Sequence, residues 1–265
     1  MHRPTCCAEL FASLGIERPV IVGHSWGTLV ALALALEHPD AVAGLAPISG
    51  YYYPSARIDA PIFALPAVPV LGDILRYTVS PGIGRIITPA VVRGSFSPLP
   101  TPERFKAEFP FALTVRPSQI RATAEEAALM TPAAAEFQHG YHSLQMPVVI
   151  LAGADDAIVD MQDHSARLRR DIPRSQLWVE PRVGHMLHYA APDLVADAID
   201  SVAARSGRLF EVLAPAGMAR SDAAAPRVLS PSPQPDRNDL HRQLHLVAQS
   251  VVRIGGARER KGRAI

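Results

Sequence analysis

Pro19-Val20-Ile21-Val22-Gly23-His24-Ser25-Trp26-Gly27-Thr28 is the stretch whose reading decides the fold of this chain. Its first four residues form a short apolar run that stops at Gly23, as a buried strand would. From Thr28 to Glu37 the chain is rich in Ala and Leu on all sides, a buried helix closed by His38-Pro39. Between strand and helix, Gly23-His24-Ser25-Trp26-Gly27 has the form G-x-S-x-G, in which a serine occupies a tight turn and needs small neighbours. Such a turn lifts the hydroxyl above the sheet, and the helix N-terminus behind it favours developing negative charge.

Working outward, Cys6 to Leu14 suits a helix ended by Gly15, and Val42 to Ile48 reads as a second buried strand. Strand, helix and strand in quick succession predict a parallel crossover. Between Tyr51 and Gln145 the rhythm is lost, with prolines from Pro61 to Pro132 cutting the chain into short apolar pieces. An inserted cap of short helices is expected there, because Phe63, Leu65, Val68, Leu71 and Ile74 offer too much apolar surface for a solvated loop. The α/β alternation then resumes: Pro147 to Leu151 a strand, Ser165 to Asp171 in a helix, Gln176 to Val179 a strand, and Pro192 to Ala204 a helix opened by its proline. The expected division is a first core segment over 1–50, a cap over 51–146, a second core segment over 147–205 and a tail over 206–265.

The 265 residues, 48% of them hydrophobic, can supply one large α/β core. A formal charge of +1 gives no global field toward nucleic acid or an acidic membrane. That total conceals an asymmetry, since the tail holds ten Lys/Arg against five acids. Its Pro, Ser, Arg and Ala composition predicts disorder, apart from Leu240 to Ile254, which has the pattern of a short helix with a solvated face. The two cysteines, Cys6 and Cys7, are adjacent and close no loop, so a reducing compartment, the cytoplasm, is expected. No signal-like or membrane-spanning run is present, the stretch Leu29 to Leu36 being far too short.

A serine hydroxyl is a poor nucleophile until a base takes its proton, and the base needs a carboxylate to orient it. Two further loops supply those types. Gly153-Ala154-Asp155-Asp156-Ala157-Ile158-Val159 follows the strand Pro147 to Leu151, and Val183-Gly184-His185-Met186 follows the strand Gln176 to Val179. Both stand where a parallel sheet keeps its chemistry, at the carboxyl ends of strands.

With these three motifs in the order Ser, Asp, His, the segment from about Cys6 to Ala204 resembles the carboxyl-terminal two-thirds of an α/β-hydrolase fold protein. The resemblance implies a partial α/β-hydrolase fold, a mostly parallel sheet flanked by helices with a helical cap. It also implies Ser25 as nucleophile, Asp156 as acid, His185 as base and the Trp26 backbone N–H as an oxyanion donor. The family's spacing to Ile158-Val159 favours Asp156 over Asp155, a solvated turn acid, and His188 lacks the glycine that precedes His185. His24 reads as a support for the elbow. The implied reaction is hydrolysis of a carboxylic ester or related acyl bond through an acyl-enzyme on Ser25. A small, neutral or hydrophobic acyl substrate is expected, with neither metal nor organic cofactor and no nucleic-acid partner; oligomeric state is left open.

Gly-x-Ser-Trp-Gly also resembles the elbow of proline iminopeptidases, so an aminopeptidase is the second enzymatic reading. A departure from the family supports a third, a non-catalytic remnant. The second oxyanion donor usually comes from a His-Gly loop ahead of the elbow, and the 24 residues before Ser25 contain none. His139-Gly140 falls on the wrong side of the nucleophile. The family's first strands are not found either, so a mis-set start or truncated gene is expected, with a partner chain or a minimal protein as alternatives. Pro19 to Val22 is then expected to form a bare apolar edge.

Overall fold

The structure is a computed structural model that describes residues 3–55, 65–68 and 70–213. The chain divides into two units, Met1–Ala214 and Pro215–Ile265; the second, with the expected helix over 240–254, lies outside the described residues. So does Phe63.

Four strands form one parallel sheet in the order β1-β2-β3-β4: β1 Val20–His24, β2 Gly44–Ile48, β3 Val148–Gly153 and β4 Ser175–Glu180. Every residue of β2 and β3 is buried, as strands covered on both faces must be. Successive residues point to opposite faces, and the core divides accordingly. Leu45, Val148 and Ile150 join a cluster with Leu29, Leu32 and Tyr52, whereas Ile48, Val149 and Leu151 pack with Ala198 and Val202. The first cluster belongs to the side of helix α2, Gly27–Glu37, and the second to the side of the final helix. Pairing of β2 with β3 is recorded at Leu45 and Ile48 and skips Pro47, which brings no N–H to a ladder.

β1 pairs with β2 alone among the described residues and forms an edge of this sheet; Val22 on it is 44% exposed. Helix α1, Arg3–Ser13, packs against α2 rather than on that edge.

Between β2 and β3 the chain is helical: α3 Leu71–Tyr77, α4 Ser80–Phe96, α5 Glu103–Glu108, α6 Phe111–Thr114 and α7 Pro117–Phe137. Two are longer than the proline spacing predicts, because Pro89 and Pro132 lie inside α4 and α7. Both prolines are exposed, so the backbone carbonyl that each deprives of a partner can be hydrated. Val68, Leu71 and Ile74, expected to be shielded, are 43%, 45% and 58% exposed.

After β3 come a π-turn Gln162–Ala166 and α8 Arg167–Asp171; after β4 come α9 Leu187–Ala190 and α10 Pro192–Leu213. α10 continues nine residues beyond the expected end at Ala204. The stretch Arg205 to Leu213 carries neither Pro nor a run of helix breakers, and its change in composition is not a change in helix propensity. No helix among the described residues is long and apolar enough to cross a membrane.

Candidate active site

Ser25 stands between β1 and α2 with φ 52, a left-handed conformation that L residues rarely adopt. Three contacts hold it there. Its N–H donates to the Ile48 carbonyl at 3.0 Å, and its own carbonyl accepts from Thr28 N–H at 3.1 Å and Thr28 Oγ1 at 2.6 Å. The two motif glycines differ in their need to be small. A Cβ on Gly23 would stand 2.7 Å from the Gly27 carbonyl oxygen, while a Cβ on Gly27 would meet nothing within 4 Å. The expectation of two crowded positions is thus corrected to one: the turn folds back on Gly23, whereas Gly27 begins α2 with its α-hydrogens outward.

The loops after β3 and β4 meet at this serine. His185 Nε2 lies 2.9 Å from Ser25 Oγ, and its Nδ1 lies 2.9 Å from Asp156 Oδ2. Both side chains of the His–Asp pair are buried. The other oxygen, Asp156 Oδ1, accepts the backbone N–H groups of Ile158 at 2.9 Å and Val159 at 3.0 Å, which fixes the carboxylate plane. Asp155, one residue earlier, has an exposed side chain and is held through its backbone, its N–H donating to the Val183 carbonyl at 3.0 Å. The two loops touch closely enough that a Cβ on Gly153 would run into the carbonyls of Val183 and Gly184. Gly184 is closed in from the other side, where a Cβ would overlap the Ser97 carbonyl oxygen.

His188 packs its ring on His24, centroids 4.4 Å apart, and its Nδ1 is buried without a hydrogen-bond partner among the described residues. Burial pushes its pKa down, and the neighbouring His185 adds to that. His24 is held more firmly: Nε2 lies 3.0 Å from the carbonyl oxygen of His185. Because a carbonyl only accepts, His24 is the tautomer with its proton on Nε2. Burial drives its pKa down to about 4, against the opposing effect of that hydrogen bond. Trp26 heads α2, so its backbone N–H belongs to the first turn, whose donors have no partner within the helix. Its ring packs against the core cluster under α2, with Nε1 buried and unpartnered among the described residues.

Two features escaped the sequence reading. One is the contact of His24 with the carbonyl of His185. The other is a support beneath the point where the chain leaves β2. There the N–H groups of Tyr52 and Tyr53 converge on Nδ1 of buried His164 at 3.1 and 3.4 Å, and Tyr141 OH donates to the Tyr52 carbonyl at 2.8 Å. Tyr53 OH donates to Asp171 at 2.6 Å while Arg167 covers its ring. Three consecutive tyrosines after a strand were the available signal. His139 is exposed, and Gly140 packs against Leu36, away from the site. Among the described residues, no group of three His, Cys, Asp or Glu is arranged to hold a metal ion.

Comparison with known proteins agrees with this architecture. The chain is 27% identical over 192 residues to a Caulobacter sp. protein described as "Putative carbamate hydrolase RutD", covering 72% of this chain and 67% of the other. A Shigella flexneri protein of the same description is 28% identical over 189 residues, covering 70% and 67%. Among solved structures, an alpha/beta hydrolase fold protein from Burkholderia ambifaria superposes with a TM-score of 0.62 at 19% identity, covering 75% of this chain and 72% of that one. An esterase from Exiguobacterium antarcticum gives 0.60 at 14% identity, covering 76% and 72%. Residues 8–192 match the family described as alpha/beta hydrolase fold. From the parallel sheet and the serine on its strand-to-helix turn to that match across most of the core, the observations agree that this chain belongs to the alpha/beta hydrolase fold family.

Proposed function

We propose that this protein is a serine hydrolase that cleaves a carboxylic ester or a related acyl bond through an acyl-enzyme on Ser25. One observation carries the reading: the continuous line from Ser25 Oγ to His185 Nε2 and from His185 Nδ1 to Asp156 Oδ2, each step 2.9 Å. Carbamates come within the same bond class, and relatives described as carbamate hydrolases support including them.

In the acylation step the Ser25 hydroxyl oxygen attacks the acyl carbon while His185 Nε2 takes its proton. Asp156 holds the Nδ1–H tautomer and stabilises the imidazolium. The Trp26 N–H, at the head of α2, donates to the oxyanion. Collapse of the tetrahedral adduct breaks the bond to the leaving group, which takes the proton from His185. Water, deprotonated by the same imidazole, then attacks the acyl-enzyme and regenerates Ser25. Apart from substrate and water the scheme uses groups of this chain alone, and the proposal extends to a small substrate, neither nucleic acid nor membrane, in the cytoplasm.

A fluorophosphonate probe tests this directly. Labelling of the folded protein, abolished by Ser25→Ala, is the expected result. Labelling of the alanine variant at the wild-type level would move the nucleophile elsewhere, and an unlabelled wild-type protein would favour the non-catalytic remnant.

A further inference from the structure

Between α4, α5 and α6 lies a cavity of about 570 Å³, within the range of sites that take small organic ligands. None of Ser25, Asp156 and His185 lines it. Its walls are chiefly apolar, from Val92, Leu99 and Phe111 with several prolines, but two cations, Arg93 and Lys106, also contribute. Arg93 pairs with no carboxylate among the described residues. Lys106 Nζ lies 2.7 Å from Glu103 Oε1, an exposed pair that a competing anion can share at little cost. Two uncharged polar residues, Ser97 and Thr101, complete the lining; Thr101 is only 8% exposed, and its Oγ1 is buried without a hydrogen-bond partner among the described residues. A buried hydroxyl is normally paired, and leaving it unpaired is costly.

We propose that this cavity binds a small carboxylate with an apolar body, such as an arylalkanoate. The walls would receive the apolar part, the Arg93 guanidinium would hold the carboxylate, and the Thr101 hydroxyl would donate to a ligand oxygen. Arg93 is exposed, so a neutral ligand costs it nothing but also forgoes the charge-assisted hydrogen bond that a carboxylate gains, and a small inorganic anion leaves the apolar walls unfilled.

The place of the cavity gives such a ligand a route to the chemistry. Ser97, on its wall, presses its carbonyl on Gly184, and the carbonyl of Ser95, two residues earlier in α4, accepts from the Met186 N–H at 3.2 Å, so the chain at this wall touches both neighbours of His185. Phe111, also on the wall, belongs to an aromatic cluster that runs through Phe105 to Tyr189, in the helix after His185.

Isothermal titration of the full chain with 5-phenylpentanoate and with its neutral amide, 5-phenylpentanamide, tests the proposal. The carboxylate is expected to bind at least about tenfold tighter than the amide, and Arg93→Gln to remove about that factor, the share of one charge-assisted hydrogen bond. Ser25→Ala should bind as the wild type does, so the result stands apart from the hydrolase assignment. Lys106→Gln and Thr101→Val should each weaken binding of the carboxylate, with unchanged circular dichroism showing that the fold is kept. Equal affinity for acid and amide, an Arg93→Gln protein that binds as tightly as wild type, or no saturable binding of the carboxylate would overturn it.

Discussion

His24 holds the backbone of His185: the imidazole of the residue before the proposed nucleophile donates from Nε2 to the carbonyl of the proposed base, 3.0 Å away. One side chain thereby ties the end of β1 to the loop after β4, two strands at opposite sides of the sheet. His24→Leu removes the donor and is expected to lower kcat for ester hydrolysis about tenfold at nearly unchanged KM, the effect of a mispositioned group rather than a lost one. His24→Gln, which keeps an N–H near the same point, should recover most of it. Equal losses in the two variants, in steady-state assays, would assign His24 to packing alone.

The same residue makes stability depend on pH. An imidazole whose pKa falls from 6.5 to about 4 on folding is neutral in the native protein where the unfolded chain has already taken up a proton. Its contribution is present above pH 6.5 and is lost progressively as the pH falls toward about 4. His164 and His188, both with lowered pKa through burial, act in the same direction. Urea denaturation at pH 7.5 and pH 5 should show a lower midpoint at the acid value, with a smaller drop in His24→Gln.

The order of effects at the two carboxylates and two histidines follows from their contacts. His185→Ala and Asp156→Asn should lower ester turnover by about 10⁴-fold. Asp155→Asn, exposed, and His188→Ala, whose ring packs on His24 while His185 alone of the two meets Ser25 Oγ, should cost only a few-fold. Initial rates with a p-nitrophenyl ester decide, and the reverse ranking would move the triad to the other pair.

The glycines of the elbow offer a stability contrast. Gly23→Ala forces a Cβ onto the Gly27 carbonyl and should destabilise by about 1–3 kcal/mol through displaced backbone. Gly27→Ala meets open space at the start of a helix and should be neutral or slightly stabilising. Thermal melts of the two variants measure the difference.

The sheet and the meeting of Ser25, Asp156 and His185 were legible in sequence because each rests on short-range pattern. Apolar runs ended by Gly23 and Gly153 mark the strands, and the chemistry-bearing residues follow them within a few positions. What was not legible depends on partners distant in the chain. Nothing around Pro89 or Pro132 tells that solvent will hydrate the freed carbonyls and let α4 and α7 run on. Nothing in the letters His24 and His185, 161 residues apart, tells that one ring will find the other's backbone. The Thr101 hydroxyl reads as a polar residue in a proline-rich loop until packing buries it.

β2 and β3 lie side by side although about a hundred residues separate Ile48 from Val148. The entropy of closing such an excursion grows only with the logarithm of its length, so each doubling adds about 0.6 kcal/mol and the native state bears it easily. Time is the greater penalty, because contacts of high sequence separation slow folding. Ser25 stands on one bank of this junction, and Asp156 and His185 on the other. During refolding, helical signal should therefore return before the three side chains can meet, and recovery of turnover would time the closing of this one pair of strands.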